Sequence, residues 1–321
     1  MTILWCGGED VDFPNNTAGF HTFTGSDHSR LSIASIGWAE SNLFSAHFTS
    51  GWMSFYSFES GGSGTHIDYK LLGLCAHGGA YNGIYIGTGD NENQIAVWKY
   101  SGSSWTKITQ ETGTSWFSGV RIDVNVTYGA SGSITVYANG TQCISYSGDL
   151  TISGVDYFDC LVMPNTDIWW GLFYVCESEI IVADEDTRLM RLKTIAPSAA
   201  GDTNDWTGAY TDVDETTLSD SDKIYSVTDD DDFQCNLTGM PSGTWSVKAV
   251  KVAARCVDGS GSTGIQLGVK SGGTVDSGDT QEASGYWQTK ERLMQVNPVT
   301  GVAFTPAEIE VLQVNLRAKA L

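Results

Sequence analysis

The stretch "VRIDVNVTYGASGSITVYANG", residues 120–140, constrains the fold more than any other. Val120, Ile122, Val124 and Val126 alternate with Arg121, Asp123 and Asn125, so an extended chain puts the apolar set on one face and the polar set on the other. The turn "GASGS" leads to Ile134 and Val136, and "ANG" reverses the chain before "TQCISYS". A three-stranded antiparallel meander is predicted, packed by its apolar face, with nothing on the polar face that resembles a site.

The same grammar recurs from the start of the chain to about residue 183, in runs such as "LSIASIGW", "YKLLGLCAHG", "QIAVWKYSG" and "WWGLFYVCESEIIVAD". Runs are short and end at Ser, Gly, Asn or Asp, and no helical period separates them. This excludes a parallel α/β arrangement and predicts an all-β sandwich or barrel. A chain of 321 residues suggests two domains, and 41% hydrophobic residues with 11 Trp supply two packed cores.

In "WSVKAVKVAARCV", Val250, Val252, Ala254 and Cys256 share one face of a half-exposed strand, and "GIQLGVKSGG" reads as its hairpin partner. Thr305, Pro306 and Glu308 form the signature of a capping box, predicting one short C-terminal helix. The domains are expected at 1–185 and 186–321, with an acidic loop at 202–232 that holds 11 carboxylates against Lys223.

With 38 acidic and 17 basic residues the net charge is −21, which opposes binding to nucleic acid or anionic membrane. No apolar run is long enough to span a bilayer, and "MTILWCGGED" lacks the basic and apolar regions of a secretory signal, so synthesis and folding in a cytoplasm are expected. The sequons at Asn15, Asn125, Asn139 and Asn236 are then coincidental. Seven widely spaced cysteines with no C-x-x-C pair argue against a zinc site or a disulfide framework and read as small buried hydrophobes.

Two resemblances extend this reading. The alternating strand, small-residue turn and "VYANG" strand resemble the core of the concanavalin A-like jelly roll, of the laminin-G or pentraxin kind. That implies two packed antiparallel sheets over the first 180 residues. The second half resembles a group of tailed-bacteriophage structural proteins in which a lectin-like domain runs into an "AP-x-A-x-G-x-x-x-x-W" segment, a "VDE" loop, a smaller β-sandwich and a terminal "P-x-TG-x-x-x-T" signature. Here these are Ala196, Pro197, Ala199, Gly201 and Trp206, then Val213 to Glu215, then Pro298, Thr300, Gly301 and Thr305. Phe304 stands where that group often has Trp.

Candidate ligand residues lie in loops and at aromatic positions. Asp90, Asn91, Glu92 and Asn93 in "GTGDNENQ" offer oxygens to calcium or to sugar hydroxyls, and Trp105 and Trp170 offer rings on which a sugar stacks. Asp229, Asp230, Asp231 and Asp232 are a candidate calcium cluster, although they lack the glycine and bidentate glutamate of a dedicated loop. For catalysis, Glu177 and Glu179 have the parity of a jelly-roll glucanase strand, but Ile181 occupies the next position in step. The five histidines show no metal or triad spacing, and "GGSGTH" reads as a flexible loop.

The expectation is a non-enzymatic component of a tailed-phage particle surface, made in the host bacterial cytoplasm. It is a capsid decoration or head-spike protein in contact with other virion proteins, and a homo-oligomer, by the resemblance a trimer. The alternatives are a tail-associated receptor binder that holds host surface glycan through the lectin-like domain and, ranked below it, a polysaccharide depolymerase. No cofactor is expected other than calcium.

Overall fold

The computed structural model describes residues 2–7, 15–16, 20–24, 31–35, 39–41, 43–60, 68–77, 81–90, 94–112, 120–164, 167–168, 171–214, 220–259 and 263–320. The chain divides into two compact units, Met1–Lys193 and Thr194–Leu321. Secondary structure in both is almost entirely strand, and among the described residues no helix is long and apolar enough to cross a membrane.

The first unit contains β1 (Ile3–Gly7), β2 (Asn15–Asn16), β3 (Phe20–Thr24), β4 (Leu31–Ser35), β5 (Ala39–Glu40), β6 (Ser50–Ser60), β7 (Lys70–Cys75), β8 (Gly83–Thr88), β9 (Ile95–Ser101), β10 (Ser104–Gln110), β11 (Val120–Thr127), β12 (Gly132–Ala138), β13 (Thr141–Gly148), β14 (Cys160–Met163), β15 (Asp167–Ile168) and β16 (Gly171–Ala183). They form two antiparallel sheets. One runs β13-β12-β11-β6-β16-β4-β3, with β1 and β15 also on β16, and the other runs β10-β9-β8-β7-β14-β5-β2. The core lies between them: Val120, Ile122, Val124, Val126, Ile134 and Val136 from the first sheet meet Leu72, Leu74, Ile84, Ile86, Ile95 and Val97 from the second. The predicted meander is present as β11-β12-β13, with Val124 opposite Val136 and Val136 opposite Ile144. These are the two packed antiparallel sheets that the jelly-roll resemblance implied.

The polar face of β11 departs from expectation, because Arg121 and Asp123 are 4% and 1% exposed. After β16 the chain recrosses the outer face of its own sheet at residues 184–190 and covers them. Arg121 Nε donates to Asp123 Oδ1 at 2.8 Å and its Nη2 to the Thr187 carbonyl at 2.7 Å. Ser54 Oγ donates to Asp123 Oδ1 at 2.5 Å and is hydrogen-bonded to the Thr187 hydroxyl. Arg188 lies 5.0 Å from the Trp52 ring centre and 4.6 Å from that of Tyr137. Period two told which face was polar; it could not tell that a later segment would cover it.

The second unit contains β17 (Pro197–Asn204), β18 (Asp232–Leu237), β19 (Val250–Cys256), β20 (Thr263–Ser271), β21 (Thr274–Asp276), β22 (Thr280–Glu282), β23 (Gln288–Met294), α1 (Pro306–Ile309) and β24 (Gln313–Ala320). A sheet in the order β17-β18-β24-β20-β21, with β22 also on β20, is accompanied by the pair β19-β23. Val252 and Met294 from the pair pack with Ile265, Leu267, Val269, Phe304, Ile309 and Leu312. The hairpin predicted between β19 and β20 does not form. β19 pairs with β23, Val252 opposite Arg292, while β20 has β24 along one edge and β21 and β22 along the other. Adjacent apolar strands in sequence here belong to different layers, which alternation alone cannot distinguish.

The helix starts as predicted. Thr305 Oγ1 accepts from the Glu308 amide at 3.2 Å, and Glu308 Oε2 accepts from the Thr305 amide at 2.7 Å. Three residues singled out in the second half serve the framework: Trp206 Nε1 donates to the Asp231 carbonyl at 3.0 Å, Phe304 is buried, and Gly301 adopts φ +71°, a conformation that favours glycine.

Candidate functional site

The outer face of the seven-stranded sheet carries a cluster of aromatic rings. Register builds it in three rows across the strands. One row runs Val162, Gly73, Tyr85, Trp98 and Lys107; the next runs Cys160, Cys75, Gly83, Tyr100 and Trp105; the third runs Lys70, Gly87, Ala96 and Gln110. Small residues alternate with large rings, which lets the rings lie down on the sheet. A Cβ at Gly73 would collide with the Tyr85 ring.

Tyr85 is fully buried and Trp98 is 5% exposed, whereas Tyr100, near the end of β9, and Trp105, on the edge strand β10, are partly buried. Trp105 meets Tyr85 edge to face at 4.8 Å between ring centres and Tyr100 at 4.6 Å with a 48° tilt. Trp98 Nε1 donates to the Thr88 carbonyl at 3.0 Å, and the Tyr85 hydroxyl donates to the Tyr81 carbonyl at 2.7 Å. The deep rings are thus locked and form the floor, and the outer rings form a shelf.

Two lysines and two aspartates rim this shelf. Lys70 Nζ stands 4.1 Å from the Trp98 ring centre and 5.0 Å from that of Trp105, and Lys107 Nζ stands 5.0 Å from Trp98. Lys107 is ion-paired with Asp90 and, at 3.0 Å, with Asp68. Gln110 Nε2 donates to Asp90 Oδ2 at 2.9 Å, and Gln110 Oε1 accepts from Lys107 at 3.1 Å and from the Asp90 amide at 3.1 Å. Hydrogen bonds from Lys107 and then Gln110 hold the Asp90 carboxyl below the usual range. Burial works against the Lys107 ammonium, but Asp90 and Asp68 outweigh it and leave its pKa raised. Burial lowers the pKa of Lys70.

Toward the other end of the sheet, Glu40 is buried and hydrogen-bonded to His77 Nδ1, and the His77 amide donates to Asp159 Oδ1 at 2.6 Å. The Cys75 thiol donates to the Tyr85 hydroxyl at 2.9 Å, and burial raises the pKa of both Cys75 and Cys160 far above that of a free thiol. They are packing groups.

Of the sequence candidates, Asp90 and Trp105 come together here, bridged by Lys107, Trp98 and Lys70. Asn91, Glu92, Asn93 and Trp170 lie outside the described residues, as does Trp169. Sequence reasoning missed Lys70, Trp98, Tyr100, Lys107 and Gln110. The signal was available in "IAVWKYS", whose parity sets Ala96, Trp98 and Tyr100 on the face opposite Ile95 and Val97, beside Gly83 and Gly87 of the neighbouring β8.

The aspartates 229–232 are committed to protein donors. Asp229 Oδ1 accepts from the Ala320 amide at 3.0 Å and Lys319 at 3.0 Å, and Asp230 Oδ1 accepts from Lys319 at 2.8 Å. Asp231 accepts from Ser226 Oγ at 2.6 Å, and Asp232 takes both arms of Arg317 at 2.8 and 2.6 Å and Asn315 Nδ2 at 3.2 Å. The run fastens the entry to β18 along β24. Among the described residues no group of three or more His, Cys, Asp or Glu is placed to hold a metal ion.

No protein-family model matches the sequence, and no curated protein does. Solved structures with partial likeness include the carbohydrate-binding module CBM66 from Bacillus subtilis, with 14% identity and a TM-score of 0.35 over 51% of this chain and 95% of that one. An endo-β-1,4-glucuronan lyase from the fungus Trichoderma reesei shows 10% identity and a TM-score of 0.37 over 56% and 94%. Domain 4 of the arabinanase AbnA from Geobacillus stearothermophilus, in complex with arabinotriose, shows 12% identity and a TM-score of 0.32 over 55% and 82%. Likeness at this level assigns no function.

Proposed function

We propose that the chain is a non-enzymatic surface component of a tailed-phage particle and that its first unit binds glycan on the outer face of the seven-stranded sheet. The observation that carries the glycan reading is the partly buried pair Trp105 and Tyr100, set against the locked Trp98 and Tyr85 and rimmed by Lys70, Lys107, Asp90 and Gln110. Sugar rings pack their C–H faces on such rings, and their hydroxyls need a few fixed donors and acceptors beside them. The placement on a particle is supported by the signature from Ala196 to Thr305.

Asp90 is not set up as a general acid. A general acid needs a raised pKa, and Lys107 and Gln110 hold Asp90 low instead. The test is binding of the full chain to an array of bacterial surface polysaccharides, together with antibody labelling of intact particles. Retention that disappears in Trp105→Ala is expected; a flat response across the array defeats the glycan reading, and unlabelled particles defeat the placement.

A further inference from the structure

The Lys70 ammonium is partly buried on the shelf. A lysine ammonium has three donors. One N–H of Lys70 reaches the backbone carbonyl of Asp68, and the group lies over the Trp98 and Trp105 rings. Among the described residues no carboxylate stands within 4.0 Å of it. The nearby Asp68 carboxylate is held by Lys107 at 3.0 Å. Burial penalises this cation, and the Asp68 charge, which is ion-paired with Lys107, and the two ring faces offset the penalty only in part.

We infer that the glycan taken by this shelf is carboxylated, a uronic or other acid sugar whose carboxylate pairs with the Lys70 ammonium while its ring rests on Trp105. This rests on the glycan-binding reading and names its ligand class. A charge-assisted bond from Lys70 to the ligand would be close to 2.8 Å, and it would reverse the lowering that burial imposes on the lysine. The chain's net charge of −21 does not forbid such a ligand. At physiological ionic strength charges are screened over about 8 Å, so a cation in contact outweighs distant carboxylates.

The test uses the full chain in affinity electrophoresis against polygalacturonate, polyglucuronate, alginate and hyaluronan, each paired with its carboxyl-reduced form. Retardation by at least one acidic polymer, at least tenfold weaker with its reduced form, is expected. Lys70→Gln should abolish that preference and Lys70→Arg should keep it, with thermal melts confirming that both variants fold. Equal retardation by acidic and reduced forms overturns the acidic class and leaves the glycan reading standing. A preference that survives in Lys70→Gln overturns the assignment to Lys70. Retardation by none of these polymers, in a protein that still binds neutral surface polysaccharide, also overturns the inference, and absence of binding to every polymer removes the underlying reading with it.

Discussion

Gly73 sits directly across from Tyr85 in the β7–β8 pair, and the tyrosine ring occupies the space that a side chain at Gly73 would need. The aromatic floor therefore depends on a missing methyl group. Gly73→Ala should displace Tyr85 and, through its 4.8 Å edge contact, Trp105. Overpacking of this kind costs about 1–3 kcal/mol. Urea unfolding should show a loss in that range, and glycan binding should fall with it.

The two tryptophans of the shelf should separate in their effects. Trp98 is buried and hydrogen-bonded, so Trp98→Ala should cost about 3–5 kcal/mol. Trp105 is only partly buried, and its replacement by Ala should cost less than half of that while removing glycan retention. Chemical denaturation and glycan binding measured side by side check the contrast.

The covered ion pair on β11 offers a larger test. Asp123→Ala leaves the Arg121 guanidinium buried beside the Thr187 carbonyl without its carboxylate, and breaking a buried pair from one side costs about 3–5 kcal/mol. The double variant Arg121→Met with Asp123→Leu should be markedly more stable than Asp123→Ala alone, as a double-mutant cycle would show.

Acid should loosen the second unit at the aspartate run. Burial works against the Asp232 carboxylate, but Arg317 and Asn315 outweigh it and leave its pKa lowered; the Ala320 amide and then Lys319 lower that of Asp229. A lowered folded-state pKa contributes stability that is complete above the unfolded value, about 3.9 for Asp, and is lost as pH falls through the folded value. Melting temperature should hold from pH 7 to about pH 5 and drop below about pH 4. The drop should be smaller in Arg317→Gln, which has less of that stabilisation to lose.

The buried thiols should be inert. Burial raises the pKa of Cys143 to about 12 and of Cys235 to about 11, so little nucleophilic thiolate exists at neutral pH. Iodoacetamide at pH 8 should leave Cys75, Cys160 and Cys235 unlabelled in the native protein and label them in urea, as peptide mass spectrometry would read.

Much of the architecture was legible because burial follows side-chain parity. Val120 to Val126, Ile134 and Val136 announced the core face of a sheet, though not the covering of its other face, and Thr305, Pro306 and Glu308 announced a helix of one turn. The partners of β19 and β20 were not legible, since both strands look alike in sequence and differ only in the layer they join. The candidate site was half legible. Asp90 and Trp105 stood out because they are polar in a loop or aromatic near an edge. Lys70 and Trp98 did not, because their meeting depends on the register of β7, β8 and β9 and on glycines that make room, which a single strand's pattern does not encode. The loop character of the aspartate run was legible, but its fastening was not, because its cationic partners, Arg317 and Lys319, lie more than eighty residues further along.

The return of residues 184–190 over β11 also decides where the first unit can be cut. A shortened chain ending at Ala183 would possess every strand of the sandwich yet leave Arg121 and Asp123 facing water along a bare polar trough. One ending at Lys193 would keep Thr187 and Arg188 in place, so its edge for expression lies ten residues beyond the last strand.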